Sequence, residues 1–252
     1  MTRYDYETVP GQGPNLGLIV LQVDERIEAD FRRLLPSEAN LYVSRVPSGL
    51  DLTRESLGAM AAHLTGAALL LPGPVRYDAV GYGCTSGAAQ IGPGKVADLV
   101  GRGVACAHVS EPVSALLTAC RALGLRRLAL LSPYVEPVSA QLRRVLAGQG
   151  IETPVFGSFD EAEEARVARI APRSTIAAAR DLAARGGVDG LFLSCTNLDT
   201  LDAIAPLEAE TGLPVLSSNL VLAWHMCSLA RAGAAMAANL RAHGAAFRLA
   251  MV

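Results

Sequence analysis

Short apolar runs alternate with amphipathic segments along nearly the whole chain. The runs have the length of buried strands, and the segments between them carry apolar residues at helical spacing. Strands are predicted at residues 16–23, 41–46, 79–82, 104–109, 128–131, 153–156, 190–194 and 214–216. Helices are predicted at residues 27–35, 57–64, 93–100, 113–123, 138–147, 176–185 and 198–208, and in a long apolar segment that starts at residue 220. This alternation predicts an α/β fold with parallel sheets flanked by helices.

Two stretches of the chain resemble each other. Each reads strand, Cys-Thr, helix, Gly, strand, Ser, helix, first from Gly81 to Gly124 and then from Leu193 to Gly233. We infer two pseudo-symmetric lobes, which would place Cys84 and Cys195 opposite each other at their interface. Ligands in such folds bind beyond the carboxyl ends of the strands and in clefts between lobes.

The repeat also predicts the domain boundaries. Lobe 1 would comprise residues 15–124 together with a C-terminal helix over 220–243, and lobe 2 residues 125–219. Residues 1–14 are polar and punctuated by glycine and proline, so they are predicted to be an N-terminal extension.

Composition limits the classes of function that the protein can have. Of the 252 residues, 51% are hydrophobic and 18% charged, which is typical of a compact enzyme. A net charge of −2 gives no basic surface for nucleic acid or an anionic membrane. We find no export signal or membrane-spanning run and therefore expect a cytoplasmic protein with reduced thiols. The apolar helices would permit a homo-oligomer.

The cysteines are predicted to act chemically. There are five, none in a Cys-x-x-Cys spacing, so a disulfide framework or a zinc site is not expected. The four histidines show no metal-ligand spacing, and no dinucleotide or phosphate-binding glycine pattern follows the first strand. We therefore expect no metal and no cofactor.

Two of these cysteines stand in matched polar contexts. Cys84 and Cys195 each follow a strand and are each followed by threonine. Backbone N–H groups at the start of the next helix would favour a thiolate and lower its pKa. The alternative is that both are small buried apolar residues, as we expect of Cys106, Cys120 and Cys227. The matched contexts favour a chemical role for Cys84 and Cys195 over a role in packing.

Two thiols that face each other can take different roles in proton transfer. One would act as a nucleophile or base, and the other would donate a proton from the opposite face of the substrate. Nearby polar groups would hold a carboxylate and stabilise an enolate-like intermediate. The candidates for this role are Thr85, Ser86, Thr196, Asn197 and Ser218.

Other polar residues allow two interpretations each. Asp24 follows the first strand and would either cap a helix or reach the site, where it could tune a thiol or bind a substrate amine. Tyr134 follows the fifth strand and would either pack or point its hydroxyl into the site. The acidic run from Asp160 to Glu164 is predicted to be a solvated face.

Three motifs support a family resemblance: Gly83-Cys-Thr-Ser-Gly87, Leu193-Ser-Cys-Thr-Asn-Leu198 and Gly212-Leu-Pro-Val-Leu-Ser-Ser-Asn219. They resemble the aspartate/glutamate racemase superfamily, in its branch of maleate cis-trans isomerase and arylmalonate decarboxylase. The resemblance runs from residue 18 to about residue 233. It implies two α/β lobes, no cofactor, and Cys84 as the thiolate that attacks the double bond of maleate while Cys195 assists. The loop tyrosine of those enzymes matches Tyr134.

Two departures from the branch bear on the substrate. Asp24 and, in an ungapped register, Glu164 stand where maleate isomerases carry asparagine. At about 4 Å, each added negative charge would repel a dianion by about 1–4 kcal/mol. Extra carboxylates instead suit a substrate with a positive amine. The segment 18–25 resembles the ectoine-utilisation protein A subgroup, which implies a role in ectoine or hydroxyectoine catabolism.

The sequence therefore predicts a cofactor-independent isomerase or racemase of a small amino carboxylate. A maleate cis-trans isomerase is the first alternative. A non-catalytic protein that binds a small carboxylate is the second.

Overall fold

The structure is a computed structural model that describes residues 1–9, 11–49, 53–241 and 244–250. It contains two four-stranded sheets in which every pair of neighbouring strands is parallel. The strands of the first sheet are β1 (Asn15–Leu21), β2 (Asn40–Val46), β3 (Ala79–Gly83) and β4 (Val109–Ser110). Those of the second are β5 (Arg127–Tyr134), β6 (Glu152–Glu161), β7 (Gly190–Leu193) and β8 (Val215–Ser217). The predicted α/β class is confirmed.

Helices connect the strands and cover the sheets. In the first half they are α1 (Ile27–Leu34), α2 (Arg54–Ala59), α3 (Ala61–Leu69), α4 (Thr85–Ile91), α5 (Pro93–Gly103) and α6 (Pro112–Leu123). In the second half they are α7 (Glu136–Ala147), α8 (Glu164–Val167), α9 (Pro172–Ala184), α10 (Leu201–Thr211) and α11 (Ser218–Leu229). Two short helices follow, α12 (Gly233–Met236) and α13 (Gly244–Ala250).

The two sheets share one topology. Their strand orders are β2-β1-β3-β4 and β6-β5-β7-β8, so each sheet places its second strand at one edge and its fourth at the other. By this correspondence β3 matches β7, and these are the strands that precede Cys84 and Cys195. The predicted repeat with pseudo-symmetric lobes is therefore confirmed.

Burial explains why the central strands are almost wholly apolar. Every residue of β3 and β7 is buried, and in β1 all but the first are. Strands covered by helices on both faces need continuous apolar runs rather than alternation. The edge strand β2 is only partly buried and keeps polar residues.

Helix α11 returns from the second sheet to the first. It begins at Ser218, directly after β8, and packs against α6, α1 and β3. Its start therefore lies where the two sheets meet, close to both cysteine segments. The assignment of a C-terminal helix to lobe 1, like the division into domains itself, stays a prediction.

Several predicted elements have different extents in the structure, and for two of them the physical reason is clear. The predicted strand 104–109 is reduced to β4, because residues before it meet Tyr77 only through an irregular bridge. The predicted helix over 220–243 ends at Leu229, where Arg231 adopts a left-handed φ of 56° that interrupts helical hydrogen bonding. Residues 242 and 243 lie outside the described residues. No helix in the described part of the chain is long and apolar enough to cross a membrane.

Candidate active site

Cys84 caps the helix that follows β3. Its Sγ accepts a hydrogen bond from the Gly87 N–H at 3.2 Å. A Cβ at position 87 would lie 2.4 Å from the Tyr82 hydroxyl and 2.9 Å from the Cys84 Sγ, so glycine is required there. The Cys84 side chain is buried, with 5% exposure.

Cys195 occupies the corresponding place after β7 with a strained backbone. Its φ is 117°, a conformation that residues with a Cβ rarely adopt. Its Sγ accepts a hydrogen bond from the Asn197 N–H at 3.2 Å. Strain of this kind persists where surrounding contacts enforce it, and it is frequent at functional sites.

Hydroxyl groups join the two cysteine segments. The Ser218 Oγ accepts hydrogen bonds from the Thr85 hydroxyl at 2.7 Å and from the Cys195 N–H at 3.0 Å. The Thr196 hydroxyl donates to the Gly83 carbonyl at 3.2 Å. The structure thus brings together the two segments that the repeat placed opposite each other. Ser86 is also buried there, in the first turn of α4.

Tyr134 and Glu164 form a hydrogen-bonded chain beside Cys195. The Tyr134 hydroxyl donates to the Glu164 Oε1 at 2.9 Å and lies 2.7 Å from the Cys195 Sγ. The Asn197 side-chain amide donates to the Glu164 Oε2 at 2.8 Å. The amide oxygen of Asn197 accepts from the Glu25 N–H at 2.9 Å, which ties this chain to the loop after β1.

The acidic run is not a solvated face throughout. Asp160 and Glu163 are exposed, as predicted, but Glu164 is only 3% exposed. Its side chain is buried because Tyr134 and Asn197 satisfy both carboxylate oxygens. The prediction of a solvated face is therefore wrong for Glu164.

Asp24 fits one of its two interpretations and leaves the other open. Its Oδ1 accepts hydrogen bonds from the Arg26 N–H at 2.8 Å and the Ile27 N–H at 2.9 Å, so it caps α1. Its Oδ2 is buried and has no hydrogen-bond partner among the described residues. A buried carboxylate oxygen without a partner is costly, and a ligand that binds it would remove that cost.

A cavity opens beside the two carboxylates. Its volume is about 520 Å³, and it lies between the loop after β1 and the segment after β6. Its lining residues are Gln22, Val23, Asp24, Glu25, Glu163, Glu164 and Ala165. The cavity is large enough for a small metabolite and strongly acidic.

Both thiols are protonated at rest. Burial raises the pKa of Cys84 to about 12 and that of Cys195 well above its usual range. The charges of Glu164 and Asp24 raise both pKa values further. Hydrogen bonds with the Gly87 N–H and the Tyr82 hydroxyl lower the pKa of Cys84, and those with the Tyr134 hydroxyl and the Asn197 N–H lower that of Cys195, but burial has the largest effect on both. The prediction that the helix start lowers these pKa values is therefore wrong for the free protein, because desolvation outweighs the N–H groups.

The two carboxylates are themselves perturbed. Burial raises the pKa of Asp24, although the Ile27 and Arg26 N–H groups and, to a smaller extent, the Thr196 hydroxyl and the charge of Arg45 oppose it. Burial also raises the pKa of Glu164, against hydrogen bonds from Asn197 and Tyr134. Two acidic groups in a low-dielectric site favour a positively charged ligand.

Sequence reasoning missed a buried pair beneath the Cys195 segment. The Asn219 side-chain amide donates to the Asp30 Oδ2 at 2.8 Å and to the Thr196 carbonyl at 2.9 Å. Asp30 lies on the buried face of α1 with Ile27 and Phe31. A carboxylate on the apolar stripe of an amphipathic helix is the signal that could have found it.

No group of three or more His, Cys, Asp or Glu side chains able to hold a metal occurs in the part of the chain that the structure describes. Cys120 and Cys227 are buried in the apolar core and Cys106 is partly buried against it, as predicted from their neighbours. The polar groups that the structure gathers at the site are thiols, hydroxyls, carboxylates and amides.

Comparisons with known proteins agree with the fold and show the family. The sequence model of a family described as arylmalonate decarboxylase matches residues 102–243. Arylmalonate decarboxylase from Bordetella bronchiseptica is 31% identical over 229 residues, covering 88% of this chain and 92% of that protein. Maleate isomerase from Geobacillus stearothermophilus is 25% identical over 217 residues, covering 81% of this chain and 86% of that protein.

A solved structure extends the likeness. A Cys-to-Ser mutant of maleate cis-trans isomerase from Nocardia farcinica, with a covalently bound succinylcysteine intermediate, superposes with a TM-score of 0.78. It is 25% identical, and the match covers 88% of this chain and 94% of that one.

Proposed function

Because the chain belongs to the arylmalonate decarboxylase family, we propose that it is a cofactor-independent isomerase that racemises a small amino carboxylate with Cys84 and Cys195. The relatives are enzymes, and they include maleate isomerases. The observation that carries the choice of substrate is the Asp24 Oδ2, which is buried without a partner beside an acidic cavity. A substrate ammonium group would supply the missing hydrogen bond and the missing positive charge.

The polar groups around the thiols suit the other end of such a substrate. The hydroxyls of Thr85 and Ser86, directly after Cys84, and of Ser218, at the start of α11, would hold the α-carboxylate. Thr196 and Asn197 complete that set in the proposal. Hydrogen bonds to the carboxylate stabilise the enolate-like intermediate, in which negative charge moves from the α-carbon onto the carboxylate oxygens.

In the proposed reaction one sulfur takes the α-proton and the other gives one back. The thiolate accepts the proton as the C–H bond breaks, and its electron pair passes to the carboxylate. The opposite thiol then donates its proton to the other face of the carbon. The product is the mirror-image amino acid, and the proton has moved from one sulfur to the other.

The substrate itself would help to form the thiolate. Both thiols are protonated in the free protein because of burial and nearby negative charge. An ammonium about 4 Å from a sulfur would stabilise the thiolate by about 1–4 kcal/mol, which corresponds to about 1–3 pH units. Reactivity would thus depend on a correctly charged ligand.

The resemblance of residues 18–25 to the ectoine-utilisation subgroup narrows the substrate further within this proposal. Diaminobutyrate derivatives, the intermediates of ectoine and hydroxyectoine catabolism, carry both an amine and a carboxylate. They would place the ammonium beside Asp24 and the carboxylate beside the hydroxyls.

A maleate cis-trans isomerase is the second candidate. Relatives with that name and the solved structure with a succinylcysteine intermediate favour it. In that reaction a thiolate adds to the double bond, the new single bond rotates, and elimination of the thiolate gives fumarate. The buried carboxylates of Asp24 and Glu164 weigh against a dianionic substrate.

Incubation of the purified protein with candidate amino acids in D₂O separates these functions. We expect α-deuterium incorporation, followed by NMR, that is lost in both Cys84→Ser and Cys195→Ser. Fumarate formation from maleate would support the second candidate. Ligand binding without turnover of any substrate would support a non-catalytic binding protein and contradict both.

The variant Asp24→Asn tests the ammonium contact. It keeps an oxygen to cap α1 but removes the charge, so KM for an amino carboxylate should rise by about tenfold or more, the equivalent of one charged hydrogen bond. Glu163→Gln is the matched control, because Glu163 is exposed at the rim of the same cavity. Equal effects of the two variants would show that only the general acidity of the cavity matters.

A further inference from the structure

The direction of the hydrogen bonds beside Cys195 defines where the protons lie. The Tyr134 hydroxyl has one proton and donates it to the Glu164 Oε1. Its contact with the Cys195 Sγ at 2.7 Å must therefore use the thiol proton, with the tyrosine oxygen as acceptor. Glu164 accepts at both oxygens, as an ionised carboxylate does.

These bonds form an unbroken path from a sulfur to the cavity. The thiol proton can pass to the tyrosine oxygen while the tyrosine proton passes to the Glu164 Oε1. The net change is from a Cys195 thiol and a Glu164 carboxylate to a Cys195 thiolate and a Glu164 carboxylic acid. Glu164 lines the cavity and can exchange its proton there.

The path keeps the charge of the buried site constant. If Cys195 released its proton directly to solvent, a second negative charge would form beside Glu164, whose charge opposes ionisation of that thiol. When Glu164 takes the proton, this repulsion disappears as the thiolate forms. The other titratable groups that act on this chain are Cys84 and Asp24.

Cys84 lacks an equivalent path among the described contacts. Its contacts are the Gly87 N–H and the Tyr82 hydroxyl, and that hydroxyl lies 3.6 Å from the Met60 sulfur. Neither contact leads to a carboxylate. The two sulfurs are therefore unequal in their means of losing a proton, although the sequence presents them as equivalents.

We propose that Tyr134 and Glu164 form a proton relay that deprotonates Cys195, so that Cys195 is the thiol that enters the reaction as the base. Tyr134 contacts the reacting sulfur, and Glu164 acts through it as a positioning residue. This assignment rests on the proposed function for the use of the thiolate, but the hydrogen-bonded path itself is present without substrate.

Alkylation of the thiols tests the relay. Iodoacetamide reacts with the thiolate, and mass spectrometry reports the rate at each cysteine separately. In the native protein the proton stays on Glu164, so alkylation of Cys195 should change by less than about threefold per pH unit just above neutrality. In Glu164→Gln it should rise by about tenfold per pH unit, because the thiol then loses its proton to solvent. In the same sample alkylation of Cys84 should rise, because the charge of Glu164 opposes its ionisation.

The pH dependence of alkylation at Cys195 decides between the two roles of Glu164. If Glu164 acted only through its charge, alkylation of Cys195 would rise by about tenfold per pH unit in the native protein as well. Such a rise in the native protein would therefore overturn the relay. Asp24→Asn is the matched control, because Asp24 also opposes ionisation of both thiols but lies outside the path, so both rates should rise.

A second variant tests the relay even if Glu164→Gln fails to fold. Tyr134→Phe breaks the path and leaves the carboxylate in place, so alkylation of Cys195 should slow while that of Cys84 does not. Unchanged alkylation of Cys195 would overturn the relay. Because no substrate is present, this outcome is distinct from failure of the proposed function, which would appear as normal alkylation without turnover.

Discussion

Asp30 makes the stability of the fold depend on pH. Its carboxylate is buried on α1 and accepts a hydrogen bond from the Asn219 amide at 2.8 Å. Burial raises its pKa from 3.8 to about 6, with Asp199 and Asp24 raising it and Arg33 lowering it to smaller extents. At about 1.36 kcal/mol per pH unit, this difference means that ionised Asp30 destabilises the folded protein by about 3 kcal/mol.

The sign follows from proton binding. Between pH 3.8 and about 6 the folded state holds the proton on Asp30 more often than the unfolded state does. The free energy of unfolding therefore falls as pH rises through this range and levels off above it. From pH 5 to pH 8 the remaining loss is about 1.4 kcal/mol.

The variant Asp30→Asn should remove this dependence. Its amide oxygen can still accept from Asn219, and it carries no charge to desolvate. Urea unfolding at pH 5 and at pH 8 should show that the stability of the variant relative to the native protein increases by about 1.4 kcal/mol between the two. Asp98→Asn, at an exposed position on α5, controls for the loss of one surface charge. A stability difference for Asp30→Asn that is the same at both pH values would refute the reasoning.

Two further predictions concern backbone geometry and can be measured by urea unfolding. Because Cys195 has a φ of 117°, Cys195→Gly should be more stable than Cys195→Ala by about 1 kcal/mol, and the reverse order would show that the segment relaxes without strain. On α5, a Cβ at Gly103 would lie 2.5 Å from the Thr65 carbonyl oxygen, so Gly103→Ala should cost about 1–3 kcal/mol. Gly101→Ala, which meets no atom within 4 Å, should instead stabilise the helix by about 0.5–1 kcal/mol, and equal effects at both positions would contradict the close packing of α3 on α5.

The fold was predictable because its strands are buried on both faces. Continuous apolar runs separated by amphipathic segments leave few alternatives to parallel sheets, and the matched Cys-Thr contexts marked corresponding strands. Helix ends were less predictable: nothing in the apolar pattern after Leu220 signals the left-handed Arg231 that follows α11. Such a turn depends on packing rather than on local propensity.

The structure brings the predicted residues close together, but their electrostatics could not be predicted from the sequence. A run of acidic residues predicts a solvated face. Glu164 is buried because of its tertiary hydrogen bonds with Tyr134 and Asn197. The pKa values of the thiols depend on burial, which a sequence motif does not report. The contact of Asn219 with Asp30 joins residues 189 positions apart, beyond the reach of any local pattern.

The hydrogen bonds of the Ser218 hydroxyl can form only after both cysteine segments have been synthesised. This hydroxyl joins Thr85, 133 residues earlier, to the backbone of Cys195, 23 residues earlier. A ribosome delivers the chain from its N-terminus, and the first sheet emerges complete while the serine has yet to be polymerised. Both thiols therefore leave the ribosome before the residue that joins their segments, and the arrangement of the two segments is completed only after Ser218 has emerged.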